Sequence, residues 1–157
     1  MTNEMRYLQP GWFTRNIFNR LIGRLAKFGV SMRGSRVLFV KGRKTGELRS
    51  VPVNPLTVDG HRYLVSPRGN TQWSRNLRAA GVGELQIGRR REAFSAEEIT
   101  KHEDKTDILR AYLRAWKAEV GVFFEGIDAN ASDDDIRRIA PGYPVFEIHA
   151  PSLRSAA

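Results

Sequence analysis

The apolar positions along this chain change period twice, and the changes mark out its elements. Phe13, Ile17, Leu21, Leu25 and Phe28 recur at steps of three and four, so they form one stripe of a helix over 13–28. Phe18 and Ile22 widen that stripe, and Arg15, Arg20, Arg24 and Lys27 flank it. Residues 1–12 read as a loose leader, and 29–36 have turn character around Gly29 and Gly34. From Val37 the pattern becomes that of strands. Val37 to Val40 reads as a short buried strand, and Gly42 to Gly46 as a turn. Leu48 to Val58 reads as a second strand, interrupted by Pro52 and Pro55. Proline cannot donate to a ladder, so this strand is expected to be an edge, bulged or broken.

Asp59-Gly60 signals a hairpin into a third strand, His61 to Ser66, with Tyr63 and Val65 on one face. Thr71 is a candidate N-cap for a short helix from Gln72 to about Ala80, stopped by Gly81 to Gly83. Leu85 to Ile87 and Glu92 to Phe94 flank a hairpin turn at Gly88 to Arg90. Helical spacing returns at Ile108, Leu109, Tyr112, Leu113 and Trp116, for a helix opening at Thr106 and ending near Lys117. Ser132 to Asp135 reads as the acidic start of a third short helix, where negative charge suits the N-terminal dipole. Val145 to Ile148 closes as a strand. Strands joined by hairpins make a mainly antiparallel sheet, so the pattern predicts an α+β fold, a small barrel over 37–150 with added helices.

Composition narrows the chemistry. A chain of 157 residues favours one domain and can bury a core without staples. It has no cysteine, which removes disulfides, thiol nucleophiles and cysteine-held metals. No stretch reaches the ~20 apolar residues of a membrane span. A cytoplasmic protein is expected, its Phe13–Phe28 helix either covering the barrel or touching the inner face of the membrane. The formal charge of +9 calls for an anionic partner. Nucleic acid has only bulk charge in its favour, because no recognition helix, aromatic RNA-binding strand or zinc module is present.

The sequence offers little bond-making chemistry of its own. The run Gly42-Arg43-Lys44-Thr45 lacks the frame of a nucleotide-binding phosphate loop. His61, His102 and His149 have no short ligand spacing, and no metal site is expected. Glu97-Glu98 and Asp133 to Asp135 read as solvated charge and helix start. An enzyme of this composition would take its reactive atoms from a cofactor. Charge could converge where Arg43, Lys44, Thr45 and Arg49 leave one strand and Ser66, Pro67 and Arg68 leave another. Trp73, Asn76 and Leu77 would then share one side of the short helix.

Two blocks carry a resemblance. Gly42-Arg43-Lys44-Thr45-Gly46, followed by Arg49 and Pro52, resembles the signature of the deazaflavin-dependent nitroreductase family. Ser66-Pro67-Arg68-Gly69, followed by Trp73, Asn76 and Leu77, resembles that family's second block. The resemblance implies a split β-barrel of the FMN-binding type. It also implies coenzyme F-420, a deazaflavin with a phosphate and a polyglutamate tail, with FMN as the alternative cofactor. By matching positions, Arg43, Lys44, Thr45 and Arg49 would hold phosphate or tail. Val51, Pro52 and Val53 would line the ring edge, Ser66, Pro67 and Arg68 would grip the ring or its linker, and Trp73 and Asn76 would close the pocket. Hydride would pass to a small organic acceptor: a quinone, a nitro compound or an enone. Relatives place tyrosines near the acceptor, whereas here Phe123, Phe124 and Tyr112 are the expected acceptor pocket. A homodimer is a further expectation from the resemblance.

Overall fold

The structure is a computed structural model, and it describes residues 36–151. The expected leader and the Phe13–Phe28 helix lie outside the described residues. Seven strands form one antiparallel sheet: β1 (Arg36–Lys41), β2 (Leu48–Val53), β3 (Leu56–Val58), β4 (His61–Val65), β5 (Val82–Ile87), β6 (Arg90–Glu98) and β7 (Val145–His149). Their order across the sheet is β2-β1-β5-β6-β7-β4-β3. Among the described residues three α-helices accompany them: α1 (Gln72–Ala80), α2 (His102–Val120) and α3 (Asp133–Ile139).

The sheet order carries a geometric consequence. β2 and β3 are the two opposite edges, yet only Asn54 and Pro55 separate them along the chain. Three Cα steps span at most about 11 Å, so the sheet must curl until its edges nearly meet. The stretch expected to be an edge, bulged or broken at its prolines is two edge strands, broken at Pro55. Pro52 is tolerated because β2 is an edge strand whose one partner is β1, with Pro52 opposite Val37. The result is a split barrel whose seam runs along Val51 to Leu56.

Local signals explain the remaining elements. Asp59 and Gly60 both have positive φ (50° and 80°), the geometry of the tight hairpin between β3 and β4. Thr71 caps α1 by accepting from the Ser74 amide at 3.3 Å, and Gly81 ends it in the left-handed conformation. Ser132 caps α3 through the Asp135 amide at 3.1 Å. α2 begins at His102 rather than Thr106 and runs on to Val120. Its N-cap residue, Lys101, makes no side-chain cap, so the start left no capping signature.

Two apolar clusters hold the fold. Leu38, Val40, Leu64, Leu77, Leu85 and Phe94 fill the inside of the curl beneath α1. Leu109, Leu113, Phe124, Ile136, Tyr143 and Val145 pack α2 and α3 on the other side of β4 and β7. Neighbours Leu64 and Val65 fall in different clusters, as do Val145 and Phe146, as the two-residue period of a strand requires. Among the described residues no helix is long and apolar enough to cross a membrane.

Candidate functional site

A cavity of about 610 Å³ opens at the seam, lined by residues of both apolar clusters. That volume suits a drug-sized or cofactor-sized molecule. Its floor is apolar, with Val40, Val51, Val53, Val65 and Trp73. Trp73 packs at a tilt on Phe146, ring centres 6.0 Å apart, and is only 9% exposed, so it serves core and cavity together.

The turn after β1 supplies the cationic rim. Gly42 and Glu47 close it through an amide-to-carbonyl bond of 2.8 Å, and Gly46 adopts φ 73°, which suits glycine. The guanidinium of Arg43 does not wave in solvent. Its Nη1 donates to Gln72 Oε1 at 2.9 Å and to Asn76 Oδ1 at 2.8 Å, and its backbone N–H donates to the same Asn76 oxygen at 3.1 Å. Lys44 and Arg49 line the cavity beside it. Arg49 also pairs with Glu47 at 3.3 Å, with both side chains largely exposed, a contact of little stabilising worth.

The loop after β4 forms the facing lip. Ser66 Oγ donates to Gly69 O at 2.6 Å and lies 3.1 Å from Thr71 Oγ1, and the Ser66 amide is tied to Pro144 O at 2.9 Å. These bonds fix Pro67 and Arg68 at the cavity edge. Arg68 lies over the Phe123 ring, 5.6 Å from its centre. The third wall comes from α2 and the single 3-10 turn Gly121–Phe123 that follows it: Tyr112, Glu119, Val120 and Phe123. Burial holds the Tyr112 hydroxyl well above the ordinary phenol range; a hydrogen bond with Asn54 opposes this and the Glu119 charge adds to it. Tyr112 therefore keeps its proton at any working pH and can act as a hydrogen-bond donor.

Every residue assigned to the cofactor from the sequence lines this cavity: Arg43, Lys44, Thr45 and Arg49, then Val51 to Val53, then Ser66 to Arg68, then Trp73 and Asn76. Tyr112 and Phe123 of the expected acceptor pocket line it as well. Phe124 does not. It is fully buried and stacks flat on Tyr143, with ring centres 4.3 Å apart, so it is a core residue. Consecutive residues around a tight turn point apart, and only one of the two phenylalanines can face the cavity. The sequence reading also passed over Asn54, Gln72 and Glu119. Helical spacing gave no signal for Glu119, because it lies past Trp116, where the helix leaves regular geometry.

No curated protein matches the chain. Among solved structures, an F420-H2 dependent reductase superposes with TM-score 0.52 at 19% identity, covering 76% of this chain and 97% of that one. A structure described as a domain-swapped dimer gives TM-score 0.51 at 19% identity, covering 87% and 97%. A candidate pyridoxamine 5'-phosphate oxidase from Listeria innocua gives 0.51 at 14% identity, covering 87% and 94%. These likenesses establish the split-barrel fold. The family model described as F420H(2)-dependent quinone reductase matches residues 14–130, most of the sequence. The chain therefore belongs to the F420H(2)-dependent quinone reductase family, which makes it an oxidoreductase with coenzyme F-420 as its cofactor.

Proposed function

We propose that the seam cavity seats F-420 and a quinone together, and that the protein passes hydride from the reduced cofactor to the quinone. What supports this reading is the convergence of the 42–46 turn and the 66–69 loop on one cavity with an apolar floor. Those residues fit the group chemically. Cations and turn amides suit the phosphate and acidic tail, and a valine-lined slot beside Trp73 suits a flat ring system. When bound, reduced F-420 supplies the hydride from its C5.

Arg43, held by α1, and Lys44, Thr45 and Arg49 bind the anionic end. Val51, Pro52 and Val53 flank the ring, Ser66, Pro67 and Arg68 hold it from the opposite lip, and Trp73 and Asn76 close the pocket. Tyr112 and Phe123 bound the space left for the acceptor. The Tyr112 hydroxyl donates a hydrogen bond toward the acceptor oxygen, where negative charge grows as hydride arrives. The apolar walls exclude water while the acceptor is aligned. A quinone is the first acceptor to test; nitro compounds and enones share its electron-poor character and are the next.

The test is a fluorescence titration of the protein with F-420, repeated on Lys44→Ala and Arg49→Ala, and followed by turnover with menadione, a nitroaromatic and an enone. A weakened affinity in both variants and turnover of menadione are expected. Unchanged affinity in both variants removes the site assignment, and a protein that binds F-420 but reduces no quinone removes the proposed reaction.

A further inference from the structure

The third wall of the cavity carries a charge of the other sign. Among the described residues that line it, Glu119 is the one carboxylate, set against Arg43, Lys44, Arg49 and Arg68. It belongs to the same stretch of chain as Tyr112 and Phe123, the residues that bound the acceptor space. Its Oε2 is shielded from solvent, so bulk ions screen its field weakly. The field is felt at the reacting side of the cavity, because Glu119 is one of the groups that hold the Tyr112 proton in place. α2 turns out of regular geometry at Trp116 (φ −123°, ψ 23°), whose indole donates to Pro55 O at 3.2 Å. That contact ties the last turn of the helix, and Glu119 with it, to the seam.

We infer that Glu119 sets the charge preference of the acceptor site, favouring uncharged or cationic quinones and discriminating against anionic ones. The inference rests on the proposed seating of F-420 at the cationic rim. Under that seating the phosphate and acidic tail occupy Arg43, Lys44 and Arg49, and a second anion finds those cations already engaged. An anionic substituent on the acceptor then meets Glu119 across a low-dielectric gap. A cationic substituent gains from the same carboxylate. Arg68, over the Phe123 ring, contributes a positive charge at the lip that is common to the native protein and its variants. Removing the Glu119 charge therefore shifts the preference toward anions whatever the starting balance. The device is one of specificity: it separates cofactor from acceptor by sign, so that the polyanionic donor and its acceptor do not compete for one end of the cavity.

The experiment compares three naphthoquinones, unsubstituted, sulfonated and bearing a trimethylammonium group, with the native protein, Glu119→Gln and Glu119→Asp. Intrinsic differences in quinone reactivity cancel when proteins are compared on the same quinones. In Glu119→Gln the ratio of kcat/KM for the sulfonated over the trimethylammonium quinone is expected to rise about tenfold, and in Glu119→Asp to stay within about twofold of the native value. Binding of each quinone to the protein holding oxidised F-420, read by quenching of tryptophan fluorescence, should shift in the same order. A carboxylate that merely supports the helix would weaken all three quinones together and leave their order alone. Glu119→Ala is the second neutral variant if Glu119→Gln does not fold. A native protein that reduces the unsubstituted quinone while the neutral variants leave the ratio unmoved overturns this inference alone. A native protein that binds F-420 yet reduces none of the three overturns the reading beneath it as well.

Discussion

Asn76 Oδ1 receives two hydrogen bonds from Arg43, one from its backbone N–H at 3.1 Å and one from its guanidinium at 2.8 Å. A single side-chain oxygen on α1 thus fixes both the path of the turn after β1 and the direction of its first cation. Removing the acceptor in Asn76→Ala should cost about 1–2 kcal/mol of stability, the worth of a part-buried bond to a charged donor. F-420 affinity should fall about tenfold, because Arg43 must then be ordered by the ligand itself. Asn76→Asp separates the two effects. It keeps both acceptor contacts, and hence the melting temperature, but cancels the Arg43 charge, so affinity for the anionic cofactor should still drop. Equal affinities in all three proteins would show that Arg43 does not face the bound anion.

Strand β5 contains a position with no room for a side chain. A Cβ on Gly83 would stand 2.8 Å from Cζ of Phe94 and 3.1 Å from the Phe39 carbonyl oxygen. The ring can give way, but the β1 backbone cannot without loosening its pairing with β5. Gly83→Ala should lose about 1–3 kcal/mol, the usual penalty of overpacking. Gly83→Ala combined with Phe94→Leu should lose less than the two single changes added together. Urea unfolding of the four proteins checks this, and strict additivity would place the strain elsewhere.

How far the sequence determines this molecule differs between its parts. Thr71, Gly81, Asp59-Gly60 and the Gly88 turn act through bonds among near neighbours, so their elements could be read directly. The two motif blocks likewise marked the cavity rim, since turn glycines and clustered cations are local features. The break at Pro55 and the edge position were legible from the prolines, but that the two pieces are opposite edges of one sheet was not, because the residues on either side share one strand-like pattern. Only pairing with β1 on one side and β4 on the other reveals two edges. Phe124 was misplaced for a similar reason: its composition matches that of Phe123, and the turn geometry alone decides which faces inward. Asn54 and Glu119 acquire meaning only once α2 packs across the seam.

Lys105 is 4% exposed, and its ammonium donates to Ala140 O at 2.6 Å, beside the C-terminal end of α3. Burial lowers its pKa from 10.5 to about 8, with Glu98 opposing the shift and Arg78 adding to it. Below pH 8 both folded and unfolded chains hold the proton, and the folded state bears the full burden of a buried charge. Between about pH 8 and 10.5 the folded chain has released the proton while the unfolded chain retains it, so the unfolded state binds more protons and stability rises with pH. Relative to Lys105→Met, the native protein should therefore gain unfolding free energy from pH 7 to 10, by roughly 3 kcal/mol at most. Denaturant melts of the two proteins at pH 7, 8.5 and 10 measure the difference. A constant gap would mean that Lys105 titrates as it does in water.

The hydroxyl of Tyr143 ties down the cavity wall that Phe123 belongs to. Tyr143, itself 1% exposed, donates to the backbone oxygen of Phe123 while its ring stacks on Phe124. The bond ties the 3-10 turn to the chain just before β7, and it lies outside the cavity. Tyr143→Phe keeps the stack and deletes only this donor, a part-buried bond worth about 1–2 kcal/mol. Freed from this tie, Phe123 should sample positions away from the cavity, so the quinone KM should rise about three- to tenfold while F-420 affinity holds. The effect should fall on KM more than on kcat, because the atoms that take part in hydride transfer are untouched. The turn retains one internal bond, from the Phe124 amide to Gly121 O at 3.2 Å. If that bond and the Arg68 contact suffice to hold Phe123 in place, the variant will lose stability and leave the quinone KM where it was, and Tyr143 will have no part in positioning the acceptor.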